Sequence, residues 1–371
     1  MPNKSPYIIS LKFSPGLQKE FHLIGENLRR YGLSTKYILS SDYLQLGERL
    51  KDVVYIHTGT DIKGTLSDVI KNHALEEFLS IFRCSRPQFV CIYNFHPINL
   101  YFCFRLKRIY PDAILALFLH DPYKPYKRPY GLKNAFFISA LEFIQKSTVR
   151  YMDYVISPSF YSSKLFKENY PHFKGQNIVA PLLIPDRLRV LTTDRRFFSI
   201  VGTANKATGH DTFVNLVNYV AEHNLGYEFA LVSSSDVSKY LSKLNEKAKG
   251  IIKVINKKII TDYEIDDIIQ QSWAVFRLDW EVTQSGVIPV SYMNGTPIIV
   301  RSIPGLTQHL WDRETGYAVP FAATEEEILR AMESVKKNFQ KLSQNARKRY
   351  EDVWAEKNFE KYYSCIINSL Q

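Results

Sequence analysis

Short apolar runs alternate with longer stretches of helical period along this chain, and the alternation comes in two sets. In the first, strand candidates at Tyr7 to Leu11, Val53 to His57, Phe89 to Asn94, Ile114 to Leu119 and Val155 to Ile156 are separated by helical stretches. The helical stretches run from Leu17 to Tyr31, Asp68 to Cys84, Asn99 to Tyr110, Leu132 to Tyr151 and Tyr161 to Asn169. Parallel strands need a crossover between them, normally a helix, so this pattern reads as an α/β chain with a parallel sheet. After Asn177 to Pro181 it turns irregular, with Pro181, Pro185 and the polar run Thr192 to Arg196. Such a composition predicts an interdomain connection.

A second set then begins. Strands are predicted at Phe197 to Val201, Glu228 to Val232, Ile251 to Ile255, Trp273 to Leu278 and Pro297 to Val300, with helices at Asp211 to His223, Val237 to Lys249, Glu264 to Gln271 and Val287 to Asn294. At 371 residues the chain exceeds what one compact core usually holds. The expected organisation is therefore an N-terminal Rossmann-like domain over 1–186, a linker over 187–196 and a second Rossmann-like domain over 197–350. Thr324-x-x-Glu327 forms a capping box that opens a helix from Glu325 to Lys337. A further helical stretch with Trp354, Phe359 and Tyr363, within 351–371, is expected to pack back on the first domain. Two such halves with their sheets facing across a cleft would bind ligands beyond the C-terminal strand ends.

Apolar residues at 45% and charged residues at 23% place the chain among globular rather than disordered proteins. Forty-eight basic against thirty-seven acidic side chains leave a formal charge of +11, enough to draw phosphates, nucleic acid or an anionic membrane. No RNA- or DNA-binding motif accompanies it, so nucleic acid is not the expected partner. Cys84, Cys91, Cys103 and Cys365 show neither a CxxC pair nor zinc spacing and read as reduced, mostly buried thiols. The start MPNKSPYIIS has no signal-peptide pattern, and no apolar run reaches the length of a membrane span. The expected location is cytoplasmic, with any membrane contact peripheral.

The chemistry-bearing segments follow the strands. Asp279-Trp-Glu-Val-Thr-Gln-Ser-Gly286 links the strand ending at Leu278 to a helix that begins at about Val287 and stops at Asn294-Gly295. Hydroxyls, a glycine and backbone N–H groups at a helix N-terminus form a place for an anion such as a diphosphate; an ordinary strand-to-helix turn has the same composition. The stretch TQSGVIPVSYMNGTPIIVRSIPGLTQHLWDRETGYAVP resembles the donor-binding signature of family 4 glycosyltransferases, in a variant with a TQSGV.P loop. Weaker resemblance covers most of the rest of the chain.

That resemblance implies a GT-B fold and a nucleotide-sugar donor. It assigns donor binding to Gly16, Gly202, Lys206, Thr283, Gln284, Ser285, Gly286 and Val287. It gives Lys206 the role of offsetting charge on the leaving diphosphate, and His120 that of facing the donor sugar, with Asp121 placed to orient the ring. Many family members carry a pair of glutamates where this chain has Val282 and Val290, and Glu281, one position away, is the candidate to replace the first. An arginine often found after the first glycine of the second domain is here Thr203. His57 and His96 also end strands, and His96 with Asp121 are candidate acceptor residues. No metal or cofactor is expected; Asp279-x-Glu281 is the nearest thing to a metal-binding acidic pair.

Residues 124–150 combine Lys124, Lys127, Arg128, Lys133, Lys146 and Arg150 with one acid, Glu142, and several aromatics. This suits a helix at an anionic bilayer surface, and equally a buried helix with a basic entry loop. The function this resemblance implies is retaining transfer of a hexose from a UDP- or GDP-sugar to a lipid-linked glycan. Its setting would be bacterial surface polysaccharide synthesis, as in lipopolysaccharide O-antigen or capsule. A non-catalytic GT-B-like partner protein and a nucleotide-sugar epimerase are the alternatives.

Overall fold

A computed structural model describes residues 5–46, 51–57, 79–83, 85–123, 132–188, 190, 194–205, 207–311 and 313–371. The chain divides into two compact units, Met1–Leu183 with Glu356–Gln371, and Ile184–Ala355.

Unit 1 is built on a parallel sheet of seven strands: β1 (Ser5–Ser10), β2 (Lys36–Ser40), β3 (Val53–Ile56), β4 (Pro87–Asn94), β5 (Ile114–Phe118), β6 (Tyr154–Ser157) and β7 (Gln176–Val179). Their order is β3-β2-β1-β4-β5-β6-β7, so the direction of winding reverses between β1 and β4. The strands read as continuous apolar runs because both faces are covered. Alternate residues of β1 go to opposite sides: Tyr7 and Ile9 pack with Phe102, Leu106 and Val149 of the helices Asn99–Ile109 and Leu132–Val149. Ile8 packs with Phe21, Ile24 and Leu28 of the helix Pro15–Arg30.

The face of Ile8 is completed by the helix Phe359–Leu370, which presents Phe359, Tyr363, Ile366, Ile367 and Leu370 at helical spacing. Phe359 and Tyr363 stack with ring centroids 4.5 Å apart. Gln88 Nε2 donates to the Leu370 carbonyl at 2.6 Å, and Arg30 pairs with Glu356 at 2.8 Å.

Unit 2 repeats the plan with β8 (Phe197–Val201), β9 (Glu228–Ser233), β10 (Ile252–Asn256), β11 (Ser272–Arg277), β12 (Ile298–Arg301) and β13 (Gly316–Val319), all parallel. The order β10-β9-β8-β11-β12-β13 puts the reversal between β8 and β11. Phe198 and Ile200 pack with Phe213, Val217 and Met332 on one face; Phe197 and Val201 pack with Ile268, Ile288, Tyr350 and Trp354 on the other.

The capping box forms as written, Thr324 Oγ1 accepting the Glu327 amide and Glu327 accepting the Thr324 amide, and it opens the helix Glu325–Val353. Helical geometry breaks at Asn338, one residue past the expected end, where the side chain donates to Ser334 O and Tyr317 Oη. The helix expected over Val237 to Lys249 is two short ones, Ser238–Leu241 and Glu246–Lys249, because Asn245 caps the second through the Ala248 amide. Three strands are additional to those read from the sequence: β2, β7 and β13. Each has only four or five residues, and β7 and β13 lie at sheet edges, so none carries a long apolar signal. Most of the helix expected over Asp68 to Cys84 lies outside the described residues, as does Cys84 itself; Cys91 and Cys103 are buried, and Cys365 is partly so.

The stretch 187–196, where described, is tied to unit 2. Arg187 makes a bidentate pair with Asp266 at 2.8 and 3.0 Å. Arg195 is buried, donating to Thr296 Oγ1, Ser272 O and Ile269 O and lying over the Phe339 ring. Burial pulls its guanidinium down to about 10. Among the described residues no helix is long and apolar enough to cross a membrane. The helix Leu132–Val149 buries Gln145, Thr148 and Val149 but exposes Phe136 (79%) and Phe143 (72%).

Candidate functional site

In open parallel sheets the crevice for ligands lies beyond the C-terminal strand ends at the point where the strand order reverses. In unit 2 that point is the pair Val201 and Arg277. The residue after Val201, Gly202, has φ +121°, a conformation L side chains rarely adopt. A Cβ there would sit 3.2 Å from Arg277 Nη1 and 3.6 Å from Val287 Cγ2. Two residues assigned to donor binding by resemblance and distant in sequence, Gly202 and Val287, thus meet at the crevice. Lys206 lies outside the described residues.

The segment 279–286 is held from below. An added Cβ on Gly305 would overlap the Val282 carbonyl at 1.7 Å, so only glycine lets the turn after β12 approach this closely. Gln308 Nε2 donates to the Thr283 carbonyl at 3.1 Å. Thr283 and Ser285 are buried, Gln284 and Glu281 are partly so, and Gly286 is exposed as the N-cap of the helix Val287–Met293. The Ser285 hydroxyl is buried without a hydrogen-bond partner.

Two charged residues stand where the sequence reading saw only a strand end and an acidic pair. Arg277, the last residue of β11, donates from Nη1 to Val201 O (3.0 Å) and from Nη2 to Asp279 Oδ1 (2.8 Å). Asp279 is buried, and burial pushes its carboxyl up while the Arg277 guanidinium opposes this. Arg301, the last residue of β12, is also buried and lies 3.7 Å over the Trp280 ring. It donates to Leu278 O, Thr212 Oγ1 and Phe321 O. Beside them His210 hydrogen-bonds Thr208 Oγ1 at 2.9 Å, and burial, aided by Arg277, takes its ring down to about 4, so it is neutral. A basic residue closing an otherwise apolar strand, SWAVFR, was the signal available for Arg277.

In unit 1 the corresponding point is closed by neutral groups. Tyr43 Oη bonds Ser10 Oγ (2.9 Å), accepts the Ser14 amide (3.1 Å) and donates to Lys12 O (3.1 Å), while Asn94 Nδ2 also donates to Lys12 O (3.2 Å). Gly16 is the second residue of the helix Pro15–Arg30, inside its first turn. His120 follows β5 with its ring 4.8 Å from Phe118 and 5.6 Å from Tyr93. Burial lowers it to about 4 against the nearby Asp121 charge, and a backbone hydrogen bond to Tyr93 holds the ring. Asp121 is exposed; its carbonyl and that of Pro122 accept from Gln145 Nε2 at 3.5 and 3.1 Å, which fixes the turn to the helix Leu132–Val149.

His96 is buried, with Nδ1 accepting the Ile98 amide at 3.3 Å. His57 is exposed, its Nδ1 3.3 Å from Ser41 Oγ. Among the described residues no group of three or more His, Cys, Asp or Glu side chains is placed to hold a metal ion.

No protein-family model matches the chain, and no curated protein matches it. Solved structures do. A sucrose-phosphate synthase from Thermosynechococcus elongatus superposes with a TM-score of 0.78 at 12% identity, covering 99% of both chains. The pneumococcal O-GlcNAc transferase GtfA, solved with UDP and GlcNAc, gives 0.73 at 12% identity over 99% of both. HepE of Anabaena, solved with UDP, gives 0.72 at 12% identity over 98% of this chain and 100% of that one. Two parallel sheets of the same winding and a match over nearly the whole of each of these glycosyltransferases make the fold of this chain GT-B.

Proposed function

We propose that this chain is a retaining glycosyltransferase that moves a hexose from a UDP- or GDP-sugar to a lipid-linked glycan in bacterial surface polysaccharide synthesis, such as O-antigen or capsule. The observation that carries the donor half of this reading is the meeting of Gly202 and Val287 at the β8/β11 crevice, beside Arg277. HepE and GtfA, with the same fold, were solved with UDP.

In the proposed reaction the bond from the anomeric carbon to the phosphate oxygen breaks as the acceptor oxygen bonds to that carbon on the same face. The acceptor proton passes to the departing phosphate. Lys206 and the donors around Ser285 and Gly286 offset the charge that builds on the diphosphate, so no metal is needed. His120, assigned to the sugar by resemblance, carries no charge at neutral pH and acts through hydrogen bonding alone.

Nucleoside diphosphates raise the melting temperature in this reading, since a ligand at a hundred times its dissociation constant adds about 2.7 kcal/mol. The base that shifts it most identifies the donor. Sugar release that requires a lipid acceptor supports transfer; epimerised donor formed without acceptor sinks it.

The acceptor half gains support from the helix Leu132–Val149. Phe136 and Phe143 project into solvent, with Lys146 and Arg150 exposed beside them, which suits peripheral contact with an anionic lipid surface. Lys124, Lys127 and Arg128 lie outside the described residues. Phe136→Ser with Phe143→Ser should reduce co-sedimentation with phosphatidylglycerol vesicles and leave the melting temperature unchanged; undiminished sedimentation removes the helix from the membrane reading.

A further inference from the structure

The unit 2 crevice holds a cation that the protein satisfies only in part. A guanidinium has five N–H donors, and Arg277 places one from Nη1 on Val201 O and one from Nη2 on Asp279 Oδ1, while its Nε has no partner. The side chain is 11% exposed. Asp279, buried more deeply still, keeps Oδ2 without a hydrogen bond. Two buried arginines, Arg277 and Arg301, therefore end adjacent strands and set two positive charges beside the Asp279 carboxylate. Neutral His210 adds none, and its Nε2 is likewise buried and unpartnered.

Leaving donors of a buried guanidinium unpaired is costly until a partner arrives. Arg301 is committed elsewhere, with donors on Leu278 O, Phe321 O and Thr212 Oγ1 and its plane on Trp280. Arg277 is not. Its Nη1 lies against the backbone of Gly202, where no side chain intervenes, and Val287 borders the same point. Ser285, two residues before Val287, supplies a further buried, unpartnered hydroxyl.

We propose that Arg277 is a diphosphate-binding residue of the donor site, with Asp279 as the positioning residue that turns its fork toward Gly202. The assignment rests on the nucleotide-sugar reading above and adds to it a side-chain contact to the leaving group. An arginine fork engages two phosphate oxygens at once, which a lysine point charge does not.

The test is isothermal titration of the full chain with UDP and GDP, the matching monophosphates and the nucleosides, for wild type, Arg277→Gln, Arg277→Lys and Asp279→Asn. Arg277→Gln should weaken the preferred diphosphate about 10- to 100-fold, a charge-assisted hydrogen bond being worth roughly 1.5–3 kcal/mol. It should weaken the monophosphate less and leave the nucleoside unchanged. Arg277→Lys should recover part of the loss, and it carries the comparison if the Gln variant does not fold. Asp279→Asn should show a smaller loss that disappears in the double variant with Arg277→Gln. If wild type binds the diphosphate and Arg277→Gln or Arg277→Lys weakens all three ligand classes equally, or none, the Arg277 assignment is overturned and the donor reading stands. If wild type binds none of these nucleotides, both fall.

Discussion

The two sheets of this protein share a winding order but close their crevices with opposite chemistry. In unit 1, between β1 and β4, a buried tyrosine and an asparagine satisfy the loop backbone, and no charge is buried at the closure itself. In unit 2, between β8 and β11, an arginine takes the same place, bonded to one strand-end carbonyl and one carboxylate. A fully hydrogen-bonded neutral closure is a finished piece of structure. A guanidinium with unspent donors is stable enough to persist and leaves something for a ligand to complete. The same winding thus yields one crevice closed by neutral groups and another closed by an incompletely paired guanidinium.

The contrast can be broken most forcefully at Asp279. Asp279→Ala leaves Arg277 buried without its acid, and removing one partner of such a pair typically costs about 3–5 kcal/mol. All four tryptophans, Trp273, Trp280, Trp311 and Trp354, lie in unit 2, so tryptophan fluorescence in denaturant reads this loss directly. A midpoint equal to wild type would mean that the pair contributes nothing to the fold. Tyr43→Phe should cost less, about 1 kcal/mol for the lost hydrogen bonds. It should appear as faster amide exchange over 11–14 with the tryptophan transition unmoved; a shifted tryptophan midpoint would contradict its confinement to unit 1.

A smaller effect separates the units by pH. Glu20 of unit 1 lines a narrow cavity with Tyr93, Phe118, Leu182 and Tyr363. Tyr93 Oη donates to it at 3.0 Å, and burial pushes its carboxyl up to about 8. Its folded form holds a proton that the unfolded form has lost. The stability it contributes is therefore complete below about pH 4.5 and disappears as pH rises through about 8. His210 of unit 2 runs the other way: lowered to about 4, it contributes stability that is present above about 6.5 and lost as pH falls through about 4. Glu20→Gln should flatten the alkaline loss in exchange protection of 15–30 and leave the acid loss seen by fluorescence intact. At pH 5, where both side chains are neutral, it should change stability least. An alkaline slope that survives the substitution would assign it to another group.

Much of the fold could be read from the residues because a parallel sheet covered on both faces needs long apolar strands and periodic helices, and β1, β4, β5, β8 and β11 show them plainly. The missed strands β2, β7 and β13 take their place from neighbours already in register, so their own four or five residues need carry little signal. Gly202 entered the donor-site expectation through resemblance, and the structure gives it a backbone reason to be glycine, a φ of +121°. The sequence does not reveal contacts that depend on which residue lies across the sheet. Arg277 acquires its meaning from Val201, far away in sequence, and only the strand order brings them together.

The helix Phe359–Leu370 adds a consequence for how the chain is made. It supplies Phe359, Tyr363, Ile366, Ile367 and Leu370 to the core of unit 1 but follows all of unit 2 in the chain. During synthesis, residues 184–355 are in hand as one uninterrupted piece before the first half receives its final helix. The unit that begins first is therefore the one that closes last, and until it closes the apolar face of Phe21, Ile24 and Leu28 is left partly uncovered.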